Sequence, residues 1–128
     1  MAPEDSTAAV DPAVLARLAE EIGDVDEVVH LYLRALPLRC GSIARALASG
    51  DATALRDAAH TLRSASAFVG ATTVSALSAR LEQAALRREP LPAALGTQLA
   101  AEAHRAETEL LALLRHGRQV GAEPGRSE

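Results

Sequence analysis

Residues 58–71 read Ala-Ala-His-Thr-Leu-Arg-Ser-Ala-Ser-Ala-Phe-Val-Gly-Ala, and this stretch decides how the chain folds. An α-helix advances about 100° per residue, so each side chain can be assigned to a face relative to His60. The residues on the side opposite His60 are mostly apolar: Leu55, Ala58, Leu62, Ser66 and Val69. Those within roughly 60° of His60 are charged, polar or small: Thr53, Arg56, Asp57, Arg63, Ser64 and Ala67. The pattern predicts an amphipathic helix with an accessible histidine.

The composition points to a small helical protein. The chain has 128 residues, which suits one domain, and 48% of them are hydrophobic while only 2% are aromatic. Alanine and leucine dominate, and both favour helices. The net charge is −4, and all 13 basic residues are arginine. Without a basic surface, binding to nucleic acid is not expected.

Helix start and stop signals recur along the chain. Aspartate favours the position before a helix and glycine the position after it. Three aspartates and three glycines mark such boundaries: Asp11, Asp24 and Asp51, and Gly23, Gly50 and Gly70. Proline at position 37 falls inside the second helical pattern and predicts a kink or brief break. The five predicted helices cover about residues 12–22, 25–49, 52–69, 72–88 and 93–115.

These helices predict an all-α fold, an up-down antiparallel four-helix bundle with a short extra N-terminal helix. The bundle is expected to span residues 11–115, preceded by a flexible N-terminus, residues 1–10, and followed by a disordered tail, residues 116–128. No signal peptide or membrane-spanning run is visible, so a cytoplasmic location is expected, and Met1 favours a stand-alone protein.

The other candidate site residues offer little chemistry. Cys40 is the only cysteine and has no histidine or asparagine near it in sequence, so a structural role is expected. The remaining histidines, His30, His104 and His116, are not three or four residues from one another or from His60. No metal site is therefore expected.

For His60 the residues alone leave two interpretations open: an ordinary solvated histidine, or a reactive one. Arg63 lies one turn on and could place a cation beside a charge added to the imidazole. Asp57 lies one turn back and could accept from an imidazole N–H and orient the ring. Ser64 and Ala67 are small, so another protein could approach closely.

The stretch resembles the histidine-containing phosphotransfer (Hpt) domain family over roughly residues 11–115. The matching residues are Ala59-His60-Thr61-Leu62-Arg63-Ser64-Ala65-Ser66, Val69-Gly70-Ala71, Leu77 and Leu81-Glu82. The flanks also fit, with Asp11-Pro12 followed by Leu15 and Leu18, the Leu36-Pro37 interruption, and Gly50-Asp51.

The resemblance implies a phosphorelay intermediate. His60 would accept a phosphoryl group from a receiver-domain aspartyl phosphate, through Nε2, and pass it to another receiver. Arg63 stands where the family usually has lysine and would screen the phosphoryl charge, and Ser64 leaves room for docking. Phe68 occupies a position that is often polar and adds an apolar group near the docking face. The partners implied are receiver domains of response regulators or hybrid histidine kinases.

The same resemblance makes the chain a phosphocarrier rather than a stand-alone enzyme. It has no glycine-rich phosphate loop, so no kinase activity is expected, and no cofactor of its own is expected because the receiver would supply Mg²⁺. The alternatives are a non-catalytic helical adaptor that binds signalling domains without phosphotransfer, and a bundle that binds another helix through residues 95–113. A monomer without membrane contacts is expected.

Overall fold

The computed structural model describes residues 8–126, with side chains described through Gly117, and this part of the chain contains five α-helices. The helices are α1 (Pro12–Ile22), α2 (Val25–Ser49), α3 (Ala52–Phe68), α4 (Thr72–Leu86) and α5 (Ala93–Arg126). No strand occurs among residues 8–126, which confirms the all-α prediction. In this part of the chain, no helix has the length and apolarity needed to cross a bilayer.

The predicted start and stop signals set the helix boundaries. Asp11, Asp24 and Asp51 each accept a backbone N–H of the following helix through a side-chain oxygen. Gly50 and Gly70 follow α2 and α3 with φ of 70° and 84°, a left-handed conformation that favours glycine. Because the turns after α2 and α3 are only two or three residues long, successive helices run antiparallel.

The four long helices form a closed ring in which α2 packs on α3, α3 on α4, α4 on α5, and α5 again on α2. The inward faces are largely aliphatic, in keeping with a composition that has only 2% aromatic residues. The largest fully buried apolar side chains are Ile43, Leu55, Leu62, Leu81, Leu99, Leu110, Val29, Val69 and Val74. One polar contact crosses this core, where the Tyr32 and Ser66 hydroxyls lie 2.7 Å apart.

The segment before α1 corrects the prediction of a flexible N-terminus through residue 10. Ala9 and Val10 are buried, and both donate their backbone N–H to the Glu109 carboxylate of α5, at 3.2 and 2.8 Å. The Asp11 N–H donates to the Gly70 carbonyl at 2.8 Å. A short segment without periodicity gives no sequence signal, yet tertiary hydrogen bonds fix it. Residues 1–7 lie outside the described residues.

The helical backbone of α5 continues past residue 115, where the sequence predicts a disordered tail to begin. The helical backbone continues to Arg126, and residues 127–128 lie outside the described part. Glycine and proline in this region lower helix propensity, but extending an existing helix costs far less than starting one. Pro37 does not break α2 either, because helical residues on both sides are packed into the bundle.

Candidate functional site

The candidate site lies on the outer surface of the bundle, where α3 meets α4. His60 and Arg63 project from adjacent turns of α3, and Glu82 reaches them from α4. The Glu82 carboxylate contacts both: Oε2 lies 2.9 Å from His60 Nδ1, and Oε1 accepts from Arg63 Nε at 2.8 Å. The Ser75 hydroxyl of α4 donates to the Arg63 carbonyl at 3.0 Å, which further ties the two helices together.

The contact with Glu82 sets the state of the His60 ring. An ionised carboxylate only accepts hydrogen bonds, so Nδ1 carries the hydrogen and donates it. The neutral ring then has its lone pair on Nε2. The His60 side chain is 58% exposed, and no described residue hydrogen-bonds to Nε2. The ring is therefore held by one nitrogen and offers the other to solvent or to a partner.

Glu82 differs from its two partners in being well buried, with only 12% of its side chain exposed. Burial by itself raises the pKa of the Glu82 carboxyl. The hydrogen bonds from His60 and Arg63, together with their charges, outweigh burial and leave the pKa below its usual value. Glu82 is consequently ionised at neutral pH, which is the state that fixes the His60 tautomer.

Arg63 brings a cation to within 3.2 Å of His60 Nδ1 through a terminal guanidinium nitrogen. When Nδ1 donates to Glu82 it cannot also accept from Arg63, so this contact is electrostatic. About 40% of the Arg63 side chain remains exposed. The guanidinium is thus anchored by one nitrogen and close enough to the ring to interact with negative charge added there.

The other predicted site residues fall into two groups. Ser64, Ala67 and Phe68 lie exposed on the outer face of α3, and Phe68 keeps 54% of its surface accessible. The predicted contact between Asp57 and the His60 ring is not formed. The Asp57 carboxylate instead lies 3.6 Å from Arg56, and Glu82 takes the place expected for it.

Sequence reasoning included Glu82 in the family match but gave it no role. The position of Glu82 in the sequence did indicate its place near His60, because α3 and α4 form a hairpin centred on Gly70. Residues equally far from that turn lie level with each other, and His60 is ten residues before it. The first acidic residue near the corresponding position on α4 is Glu82.

A shallow cavity of about 460 Å³ adjoins the ring. Its lining combines the polar site residues with one exposed leucine: Arg56, Asp57, His60, Thr61, Glu82 and Leu86. The other histidines do not join it. His30 Nδ1 lies 2.8 Å from the Asp26 carbonyl of its own helix. In the described residues, no group of three His, Cys, Asp or Glu side chains is placed to hold a metal ion.

A helical bundle with an exposed imidazole held by a carboxylate from the next helix has the features of a helical phosphocarrier domain. The sequence model of the Hpt domain matches residues 27–126, and the chain therefore belongs to the Hpt domain family. Its function is histidine phosphotransfer in two-component phosphorelay signalling.

The solved structures contain a similar protein, histidine-containing phosphotransfer protein B from Pseudomonas aeruginosa PAO1. The two chains are 28% identical, with a TM-score of 0.77, and the match covers 88% of this chain and 97% of the other. The resemblance thus extends over nearly the whole bundle. A search of curated proteins finds no match.

Proposed function

We propose that His60 is the phosphorylated residue, that it accepts a phosphoryl group from the aspartyl phosphate of a receiver domain, and that it passes the group to a second receiver. The observation that carries this proposal is the 2.9 Å contact between His60 Nδ1 and Glu82. It presents Nε2 as the nucleophile in a ring that is 58% exposed.

In the proposed reaction, the Nε2 lone pair attacks the phosphorus of the aspartyl phosphate. The N–P bond forms while the bond from phosphorus to the aspartate oxygen breaks, and the electron pair leaves on the aspartate carboxylate. Nδ1 keeps its hydrogen, so the phosphorylated ring is positively charged. The Glu82 carboxylate stabilises that charge, and the reverse steps deliver the group to the next receiver.

Charge neutralisation is proposed to be shared between the two proteins. Arg63 lies 3.2 Å from Nδ1 and supplies a cation beside the phosphoryl group. Mg²⁺ is proposed to arrive with the receiver domain, since phosphoryl transfer depends mainly on positioning and on neutralising charge. This chain then needs to provide only the nucleophile, its orienting carboxylate and a docking surface.

The proposed docking surface continues from His60 over small α3 residues, Ser64 and Ala67, onto the exposed α2 side chain Leu38. Tyr32 and Ser66 mark one level of the bundle, because their hydroxyls are 2.7 Å apart. Leu38 is six residues after Tyr32 on α2, and His60 is six residues before Ser66 on α3. Because the two helices run antiparallel, both residues lie about 9 Å from that level in the same direction, so Leu38 is level with His60. Leu38 is 74% exposed, an unusual accessibility for leucine that suits an apolar contact with a partner.

Transfer of labelled phosphate from a panel of phosphorylated receiver domains tests the proposal. The chain should acquire a label that is stable in base and labile in acid, as a phosphoramidate is. His60→Gln should abolish it, whereas His104→Gln, which changes an exposed histidine on α5, should leave it intact.

Label that persists in His60→Gln would contradict the assignment. Receiver binding without transfer to the unmodified chain would identify an adaptor instead. The proposal also implies a cytoplasmic monomer, and size-exclusion chromatography with light scattering should give the mass of one chain, 13.3 kDa.

A further inference from the structure

The cavity beside His60 continues into a larger one toward the end of the bundle. The second cavity, of about 630 Å³, lies between the start of α3 and the loop after α4. Both cavities are lined by Arg56 and Leu86, so they adjoin each other, and we treat them together as one surface groove. We call it the end groove. From His60 it passes over Leu86, which is 49% exposed, and reaches Arg88 and Leu91.

Arg88 in this groove has an unusual backbone conformation. Its φ of 56° makes it the one residue other than glycine with a positive φ in the described chain. Its N–H donates to the Ala85 carbonyl, and the Glu89 N–H donates to the Ala84 carbonyl. These two bonds define a helix-ending motif that normally has glycine at the left-handed position.

The chain uses glycine for the same purpose elsewhere. Gly50 after α2 and Gly70 after α3 end their helices with the same two kinds of hydrogen bond and with positive φ. At the end of α4 an arginine occupies this position although glycine would relieve the backbone strain. A strained residue that local structure does not require suggests a function for its side chain.

Arg88 differs from the other arginines in and beside the groove in having no carboxylate within ion-pair distance among the residues whose side chains are described. Arg56 lies near Asp57, Arg63 binds Glu82, and Arg87 lies 3.9 Å from Glu89. Each of these three arginines therefore has a carboxylate close by. Arg88 forms no ion pair within the part of the chain whose side chains are described. The groove as a whole is also lined by the carboxylates of Asp51, Asp57, Glu82 and Glu89, so the complementarity is local: the unpaired guanidinium and the exposed leucine suit one acidic side chain and an apolar neighbour on a partner.

We propose that the end groove belongs to the receiver-docking surface and that Arg88 is a specificity-determining residue there; this inference rests on the proposed function at His60. Thr53 lines the groove and lies seven residues before His60, about 10 Å along the helix axis. A standard interface of about 800 Å² per partner has a radius of about 16 Å, so a footprint centred on His60 includes the groove.

The chemistry of the donor supports this assignment of the occupant. A receiver that carries an aspartyl phosphate with Mg²⁺ must place carboxylate oxygens around that ion. Its docking face is therefore acidic near the transferred group. Arg88, at the far end of the groove, would contact an acidic side chain at the edge of the receiver footprint rather than the carboxylates that hold the ion, while Leu86 would pack against apolar side chains between the two.

Binding and transfer measured in parallel test the inference. Affinity is measured by calorimetry for receiver domains carrying beryllofluoride, a mimic of the aspartyl phosphate, and transfer is measured with the phosphorylated receivers. Arg88→Gly should weaken binding and raise KM by roughly three- to tenfold, since peripheral charges act on association. Arg88→Lys, which keeps the charge, should retain most of the affinity, and Leu86→Ala should weaken binding.

Two controls distinguish an effect on receiver docking from an effect on the reactivity of His60 and from an effect of net charge. Phosphoramidate, a small phosphoryl donor, reports the reactivity of His60 without docking, so the ratio of receiver-driven to phosphoramidate-driven rates should fall in Arg88→Gly. Arg17→Ala makes the same change in net charge on α1 and should stay within about twofold of the unmodified chain.

Unchanged receiver affinity in Arg88→Gly would overturn the inference while leaving the role of His60 intact. The converse outcome is also distinguishable: if receivers bind in an Arg88-dependent way but transfer no phosphate, the docking surface stands and the proposed function fails. Absence of binding to every receiver would overturn both.

Discussion

Replacing Glu82 with alanine should slow phosphotransfer to His60 without unfolding the bundle. The substitution removes the acceptor that lies 2.9 Å from His60 Nδ1 and also the anchor of Arg63 Nε at 2.8 Å. Without the carboxylate, the neutral ring is free to rotate and to move its hydrogen to Nε2. In that tautomer the attacking nitrogen has no lone pair to donate, so only part of the population is reactive.

The size of the effect follows from the geometry. A hydrogen bond to a charged group contributes about 1.5–3 kcal/mol. The His60 side chain is 58% exposed, so water replaces part of what is lost. A loss of about 1–2 kcal/mol of transition-state stabilisation remains, which corresponds to a rate roughly 5- to 30-fold lower. Glu82→Gln keeps an acceptor oxygen but loses the charge, so its rate should fall between those of Glu82→Ala and the unmodified chain.

Rapid-quench transfer from a phosphorylated receiver measures the rate, and ¹⁵N NMR of the imidazole measures the tautomer. In the unmodified chain the ¹⁵N shifts should show hydrogen on Nδ1, and in Glu82→Ala they should move toward the mixture found in free histidine. Glu20→Ala, an exposed acidic residue on α1, is the control. A transfer rate within twofold of the unmodified chain, together with unmoved ¹⁵N shifts, would refute the positioning role of Glu82.

Glu82 also predicts a dependence of stability on pH. Its folded-state pKa is below the ordinary value of 4.5, so the folded state binds fewer protons than the unfolded state in that acidic range. The stabilisation is complete above about pH 4.5 and is lost as the pH falls through the folded-state value. Urea unfolding of Glu82→Gln should show a smaller loss of stability over the same acidic interval.

Two further predictions concern parts of the chain away from the site. Tyr32 is the only tyrosine, and burial raises its pKa to about 12, so absorbance titration should show ionisation near pH 12 rather than 10 and stability should fall between these values. A midpoint near pH 10 in the folded chain would contradict the burial. Glu109→Ala removes the acceptor of two backbone N–H groups at Ala9 and Val10 and should cost about 1–2 kcal/mol in urea unfolding, with faster amide exchange at both residues; unchanged exchange would show that the segment is held by other contacts.

The starts of α1, α2 and α3 were predictable because the signals that set them are local. Asp11, Asp24 and Asp51 cap helices through their own side chains, so their effect depends on residues within one turn. The alternation of buried and exposed positions on α3 is equally local, since it follows from helix geometry. Leu55 and Leu62 are accordingly buried, and His60 is exposed.

What was not predictable depends on contacts between helices. The sequence offered Asp57, one turn away, as the acceptor for the His60 ring, whereas the structure places Glu82 of another helix there, because the register of the α3–α4 hairpin brings it level with the ring. Leu38 illustrates the same limit: it continues an apolar pattern in α2 but lies 74% exposed. The apolar pattern of one helix does not show which of its side chains the neighbouring helices cover.

Because the site is built from two helices, the turn between them tolerates less change than the exposed surfaces around it. The nucleophile and its cation come from α3, and the carboxylate that orients them comes from α4, so their mutual geometry depends on the turn between the helices. Gly70 has no space for a side chain there, because a Cβ atom would lie 2.9 Å from the Asp11 carbonyl oxygen and 3.1 Å from Val14 Cβ. The turn is therefore fixed from the α1 side, far from the chemistry. The exposed residues of α2 and of the loop after α4, and those of α3 other than His60 and Arg63, carry no such constraint. They are free to change with the partner while the geometry at His60 stays the same.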